Sequence, residues 1–207
     1  MAVYADGWWF DFTRGVKTAG SLGLETLELA GTTQEGFMYH PSGVRAARGA
    51  IRAVPVQDYS QFTFVDFGSG KGRVLFLAAE FPFRKITGVE FARELHGVAE
   101  ANIRRFRERK PRSVEIESTR QNALDFPFPP DRLVLFFFNP FPVAVMRRVL
   151  ENLRSSLAEN PREAFVVLLY PDEHGPLADS LPWLRICEGG SRRRIYEGVL
   201  PTARPAQ

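Results

Sequence analysis

The chain has 207 residues, 44% hydrophobic and 25% charged, the make-up of one globular domain with an extension, which excludes collagen-like, coiled-coil and wholly disordered chains. Its 27 basic and 24 acidic residues leave a net charge of +3, too small an excess to name a partner. The single Cys187 can form neither an internal disulfide nor a cysteine zinc site, so a reducing, cytoplasmic setting is expected. The opening MAVYADGWWF has no basic n-region before an apolar run. The longest apolar stretch, Leu133 to Phe138, falls far short of the roughly 20 residues that cross a bilayer.

The first sixty or so residues carry little periodicity. Trp8, Trp9, Phe10 and Phe12 form an aromatic cluster expected to pack, Leu22 to Leu29 reads as a short helix, and Gly43 to Val54 as an Arg-bearing helix. From Phe62 onward short apolar runs alternate with longer amphipathic ones, the pattern of β-α units around a parallel sheet. Thr63 to Phe67 is a buried strand, Arg73 to Phe81 a helix stopped by Pro82, and Ile86 to Phe91 a second strand. Leu95, Val98, Ala99, Asn102, Ile103 and Phe106 recur at helical spacing, which predicts a helix over Ala92 to Arg109 with Arg104, Arg105 and Arg107 on its wet side. Val114 to Thr119 and Leu133 to Asn139 follow as strands, Val143 to Leu157 as a helix, and Ala164 to Tyr170 as another buried strand. Trp183 to Glu188 and Arg194 to Leu200 read as a hairpin turning at Gly189, Gly190 and Ser191. The expected fold is α/β: a Rossmann-like, doubly wound, mostly parallel sheet of seven strands with a C-terminal antiparallel hairpin.

The most informative stretch is VDFGSGKGR, Val65 to Arg73, between the first of these strands and the first helix. A Walker A loop would need glycine at Val65 and Ser or Thr at Gly72. The dinucleotide fingerprint would need glycine where Arg73 stands. What remains is D-x-G-x-G-x-G: Asp66, Gly68, Gly70 and Gly72. Glycine there lets a ligand approach the backbone without meeting a Cβ. Glu90 ends the second strand, roughly 20 residues after the first glycine, where a carboxylate can accept both hydroxyls of a ribose.

With these residues the sequence resembles the class I S-adenosylmethionine-dependent methyltransferases over most of Phe62 to Leu200. The resemblance implies S-adenosylmethionine as cofactor. It places Asp66 near the cofactor's methionine end, Gly68, Ser69, Gly70 and Gly72 around it, Glu90 on its ribose, and Asn122, Ala123 and Asp125 of QNALDF at its adenine. Asn139, Pro140, Phe141 and Pro142 stand at the family's fourth-strand motif, without its second proline in register, and supply the candidate catalytic residues Asn139, Pro140 and Phe141. Upstream, DFTRGVKTAG and GFMYHPSGVRAARGAI resemble an uncharacterised bacterial group of these enzymes, and, with FFFNPF, the DOT1-type lysine methyltransferases. That likeness implies a protein side-chain amine as acceptor, with nucleic acid or a small molecule as alternatives. The aromatic, polar and basic segment Gly36 to Val54 stands just before the first strand of the sheet, which predicts residues 1–60 as an extension covering the site, with Tyr39 and His40 facing the cofactor pocket, and 61–207 as the catalytic domain.

A nicotinamide-dependent oxidoreductase would share the ribose carboxylate, but Arg73 and the terminal hairpin speak against it. His40 is a candidate base beside Tyr39, whereas His96 and His174 are expected to be structural, and no His pair has metal-binding spacing. The basic runs Arg104 to Arg112 and Arg192 to Arg194 are expected to be solvated, with phosphate binding the rival reading.

Overall fold

The computed structural model describes residues 2–29, 32–110 and 114–199, with side chains for 6–21, 39–110 and 114–199. In chain order, helix α1 (Ala2–Arg14) leads to an antiparallel strand pair, β1 (Leu22–Leu29) and β2 (Thr32–Tyr39), and then to helix α2 (Val44–Arg52). Strand β3 (Phe62–Phe67), helix α3 (Arg73–Ala78), β4 (Lys85–Glu90), α4 (Arg93–Arg109) and β5 (Glu115–Arg120) follow as alternating units. The alternation continues through β6 (Arg132–Phe137), α5 (Val143–Glu159), β7 (Ala164–Leu169) and α6 (His174–Asp179) to β8 (Leu184–Gly189) and β9 (Arg193–Gly198).

Seven strands make one sheet in the order β5-β4-β3-β6-β7-β9-β8. The first five are parallel, and β9 runs antiparallel to both β7 and β8, so the later strand of the expected hairpin is the inner one. Strand order runs outward from β3 through β4 on one side and from β6 through β7 on the other. The connections after β3 and β6 therefore leave toward opposite faces and open a crevice above the C-terminal ends of these two strands.

The strands at this centre are apolar at nearly every position because both faces are covered. On β6, Val134 and Phe136 enter the core under α2, α3 and α4, while Leu133, Leu135 and Phe137 enter the core under α5 and α6. Phe62 and Phe64 against Val65 and Phe67 divide β3 in the same way. This alternation locks the register, since a slip of one residue would exchange the two cores.

Three segments depart from the sequence reading. Leu22 to Leu29 is strand β1, not a helix; Gly23 and Thr26 weaken a helix there, and pairing with β2, from Leu22 opposite Tyr39 to Leu29 opposite Thr32, satisfies its backbone. The aromatic cluster is not packed. It lies on α1, whose 3.6-residue period buries Phe10 at 2% exposure and leaves Trp8, Trp9 and Phe12 at 65%, 69% and 75%. Helix α6 had no sequence signal because Gly175 and Pro176 occupy its first turn, where proline is tolerated. The remaining boundaries shift by a few residues, α3 most of all, ending at Ala78 rather than Phe81. The proposed strand end Leu200 lies outside the described residues.

The segment after α1 is bolted to the sheet domain. Buried Asp11 accepts hydrogen bonds from the Thr18 amide (2.6 Å), the Thr18 hydroxyl (2.6 Å) and the Ala19 amide (2.7 Å). Asn102 of α4 accepts from the Lys17 amide (2.8 Å) and donates to the carbonyls of Lys17 (3.1 Å) and Lys71 (3.0 Å).

Replacing Phe136 by Ala is expected to lower unfolding stability by about 3–5 kcal/mol, because its fully buried ring leaves a cavity in the core under α2, α3 and α4. Trp8→Ala should change it by no more than about 0.5 kcal/mol. Urea unfolding of both variants checks the pair, and a large loss for Trp8→Ala would contradict the exposed α1 face.

Candidate functional site

At the end of β3 the chain turns sharply into α3. Gly68 and Gly70 both have positive φ, 72° and 55°. A Cβ on Gly68 would lie 2.5 Å from the Pro140 Cβ, and one on Gly70 would run into the Tyr39 ring. Only glycine permits this loop to meet the two segments that flank it. The amides of Gly68 and Ser69 donate to the Val89 carbonyl at 2.9 and 3.1 Å, tying the loop to the end of β4.

Glu90, the last residue of β4, is buried, and both its oxygens are held by backbone amides. Oε2 accepts from Gly70 and Oε1 from Ala92, each at 2.8 Å. A carboxylate offers about four lone-pair positions, so two remain for a ligand. Burial pushes the Glu90 pKa up, and the amide hydrogen bonds oppose that shift. Asp66, in the same strand layer, is 3% exposed, and no hydrogen bond reaches its carboxylate among the described residues. Burial first, and the neighbouring Glu90 charge second, raise its pKa well above the usual carboxylate range.

A cavity of about 270 Å³ opens over these strand ends. Of the residues predicted from sequence, it is lined by Tyr39, Gly68, Glu90, Asn122, Ala123, Asn139, Pro140 and Phe141, with His40 beside them. The others stand outside its wall. Asp66 is buried and not part of the lining, and Gly70 is covered by Tyr39, over whose ring the Lys71 ammonium sits at 5.3 Å. Ser69 is buried with its hydroxyl unpaired, and Gly72 caps α3. Asp125 is exposed, because the 3-10 turn from Ala123 to Asp125 carries it past the wall while Asn122 Oδ1 caps that turn through the Leu124 amide (3.0 Å). Sequence reasoning did not assign Phe91, Leu95, Phe138 or Val145, which line the apolar side. The signal for Phe91 and Leu95 was their place just after Glu90 and in the first turn of the next helix.

Arg73 counted in the sequence only as a missing glycine. It is buried, and it donates from Nε to the Thr18 hydroxyl and from Nη1 to the Ser42 carbonyl, both at 2.9 Å. Lys71 Nζ donates to the Gly20 carbonyl at 2.9 Å. Both cations of the glycine loop thus clamp the N-terminal segment over it. The other basic run is largely engaged at the surface: Arg193 pairs with Glu188 at 2.6 Å and Arg194 with Asp179, while Arg192 lines a second cavity beyond Tyr170. Among the described residues no three His, Cys, Asp or Glu side chains group as a metal site needs, and no helix is long and apolar enough to cross a membrane.

At the end of β6, Asn139 adopts a left-handed backbone with φ 43° and is exposed to the cavity. Asn tolerates this region better than most residues, and such backbone is frequent at functional sites. Its side chain reaches buried His174, whose other ring nitrogen lies against the Phe141 carbonyl. His174, expected to be structural, therefore joins the site through Asn139.

Asp66→Asn is expected to stabilise the free protein at neutral pH. The folded pKa is raised above the unfolded one, so ionisation opposes folding increasingly as pH climbs through that interval and not at all below it. Urea midpoints at neutral pH and below the ordinary carboxylate range test this: the gain should vanish in acid, and a pH-independent gain would rule out a desolvated carboxylate.

The sequence matches no protein-family model and no curated protein. In three dimensions it is similar to the magnesium protoporphyrin IX methyltransferase of Synechocystis PCC 6803 with bound SAM, at 16% identity and a TM-score of 0.50 over 75% of this chain and 77% of that one. It is also similar to a SAM-dependent methyltransferase of Leishmania major, at 11% identity and a TM-score of 0.51 over 74% and 70%. The pyocyanin biosynthetic protein PhzM superposes at 15% identity and a TM-score of 0.53, with 74% of this chain covering 53% of that one. The chain has the fold of the class I S-adenosylmethionine-dependent methyltransferases.

Proposed function

We propose that the chain binds S-adenosylmethionine and transfers its methyl group to an acceptor amine. The observation that carries this reading is Glu90, fixed by the Gly70 and Ala92 amides at the end of β4, one strand from the switch point of the sheet, with acceptor capacity left toward the cavity. The residues fit the cofactor's chemistry. Glu90 takes the ribose hydroxyls, Gly68 admits the ligand to the backbone, Asn122 and Ala123 flank the base, and Asp66 faces the cationic amino-acid end. The neighbouring fold with bound SAM supports the same choice. A nicotinamide cofactor fits less well: Arg73 replaces the third glycine, and antiparallel β9 interrupts the sheet order of dinucleotide-binding domains.

When bound, the cofactor supplies a sulfonium methyl that is already electrophilic. The chain need only align an acceptor and manage one proton. Proximity of this kind lowers a barrier by roughly 7–11 kcal/mol. Asn139 and the Pro140 carbonyl accept hydrogen bonds from the amine and aim its lone pair, while Phe141 and Tyr39 exclude water. S-adenosylmethionine held there would supply the methyl group, and the acceptor nitrogen would shed one proton. Residues 1–60 serve as the covering extension and 61–207 as the catalytic domain. The DOT1-type resemblance makes a protein side-chain amine the first acceptor to test.

Titration calorimetry with S-adenosylhomocysteine, NAD and ATP is expected to show binding of the first alone; NAD binding without it would reverse the assignment. Glu90→Gln, which keeps the shape but loses the charge, should weaken S-adenosylhomocysteine about 10- to 100-fold.

Asn139→Gly, which suits the positive φ, should leave that affinity within about twofold while turnover falls. Parallel loss of both would make Asn139 a cofactor or structural residue. Radiolabelled cofactor incubated with protein and cell extract, followed by protease or nuclease, identifies the acceptor. Protease-sensitive, nuclease-resistant label is the expected result; nuclease-sensitive or small-molecule label would replace the protein amine.

A further inference from the structure

We infer that His174 is a positioning residue: held as the neutral Nε2–H tautomer, it turns the Asn139 amide so that its oxygen, not its NH2, faces the cavity. The role in transfer rests on the proposed function above; the geometry does not. His174 opens α6, is 3% exposed, and sits between two groups from the end of β6. Its Nε2 lies 2.9 Å from the Phe141 carbonyl oxygen, and its Nδ1 lies 3.2 Å from the position of the Asn139 Oδ1.

A carbonyl oxygen can only accept, so the contact with Phe141 requires the proton on Nε2. A neutral imidazole has one N–H, which makes Nδ1 an acceptor. Two acceptors facing each other at hydrogen-bond distance repel. The amide of Asn139 resolves this by rotating half a turn, since its nitrogen and oxygen are nearly isosteric and are assigned by their partners. Its NH2 then donates to Nδ1 and its oxygen points away from His174, into the space bounded by Pro140 and Phe141. The alternative, a doubly protonated ring donating to both oxygens, would bury a cation between two neutral carbonyl groups, the costlier arrangement.

The consequence concerns the substrate class. With His174 in this tautomer, two hydrogen-bond acceptors at the end of β6 face the cavity, the Asn139 amide oxygen and the proline carbonyl. They recognise an acceptor that carries N–H, a neutral amine, in preference to one that presents only carboxylate or phosphate oxygens. The left-handed backbone of Asn139 contributes by holding the side chain at an angle from which it reaches both His174 and the cavity.

The chain has 3 histidines, so His40→Gln with His96→Gln leaves His174 as the sole imidazole. Long-range 1H–15N spectra of that variant at neutral pH, with and without S-adenosylhomocysteine, are expected to place the proton on Nε2 and leave Nδ1 bare. A proton on Nδ1, alone or with Nε2, overturns the inference. In the same background Asn139→Asp removes the donor, and the ring is expected to become doubly protonated; an unchanged neutral ring also overturns it. A third arm uses methyl transfer to extract acceptors. His174→Phe should lower it roughly 10- to 100-fold without changing S-adenosylhomocysteine affinity, as a small misalignment does. His174→Gln should restore most of the loss, because a glutamine amide can donate to Phe141 and accept from Asn139. Equal loss in both variants reduces His174 to packing. If the unaltered protein methylates nothing, the proposed function fails, while the two spectroscopic arms still decide the tautomer.

Discussion

Both oxygens of the buried Glu90 carboxylate are taken by backbone amides, one from the glycine loop and one from the start of α4. This joins the turns that leave β3 and β4, two adjacent parallel strands, and so ties the glycine loop beside the crevice to the end of β4. A side chain at Gly70 would displace Tyr39, and any group shorter than glutamate would leave buried N–H donors without partners. The arrangement carries electrostatic tension. Glu90 and Asp66 are both buried carboxylates, each shifted toward the neutral form, and only Glu90 has donors to offset its burial.

The N-terminal segment answers a second constraint. The glycine loop carries two cations, Lys71 and Arg73, in a place that is partly or wholly closed to water. Neither finds a carboxylate in the loop itself. Carbonyls and a hydroxyl from residues 18–20 and 42 accept hydrogen bonds from them, leaving the buried Arg73 Nη2 without a partner among the described residues, and Asp11 folds residues 18 and 19 into the shape that presents those acceptors. Tyr39 lies on Gly70 beneath the Lys71 ammonium, and burial raises its pKa, which keeps the phenol neutral. The N-terminal segment and the loop are therefore one hydrogen-bonded unit.

On the opposite rim, β6 and β7 end alike, with Asn139 at φ 43° and Tyr170 at φ 52°. The Tyr170 amide is held by the Arg192 carbonyl at 2.8 Å, and its ring meets that of Phe138 at 6.0 Å. For a tyrosine this backbone is strained, and the antiparallel strand beside it supplies the compensation. The two left-handed residues turn both strands away from the sheet and let α6 bring His174 up against Asn139.

The sheet, its central strands and the glycine loop with Glu90 were legible in the sequence because each depends on local pattern. Apolar runs such as Leu133 to Phe137 become strands wherever both faces are covered, helical spacing from Leu95 to Phe106 sets one face of α4, and glycines at fixed intervals mark a turn that no Cβ allows. Other features were settled only by partners distant along the chain. Leu22 to Leu29 is a strand because β2 pairs with it, and of the four aromatics from Trp8 to Phe12 three stand exposed because only the Phe10 side of α1 joins the core. Asp125 was expected near the cofactor and is carried off by a turn, while His174 was read as packing and is brought to Asn139 across 35 positions. Propensity and spacing specify what a segment can become, and long-range hydrogen bonding and burial decide which of those states is kept, because only they satisfy buried polar groups.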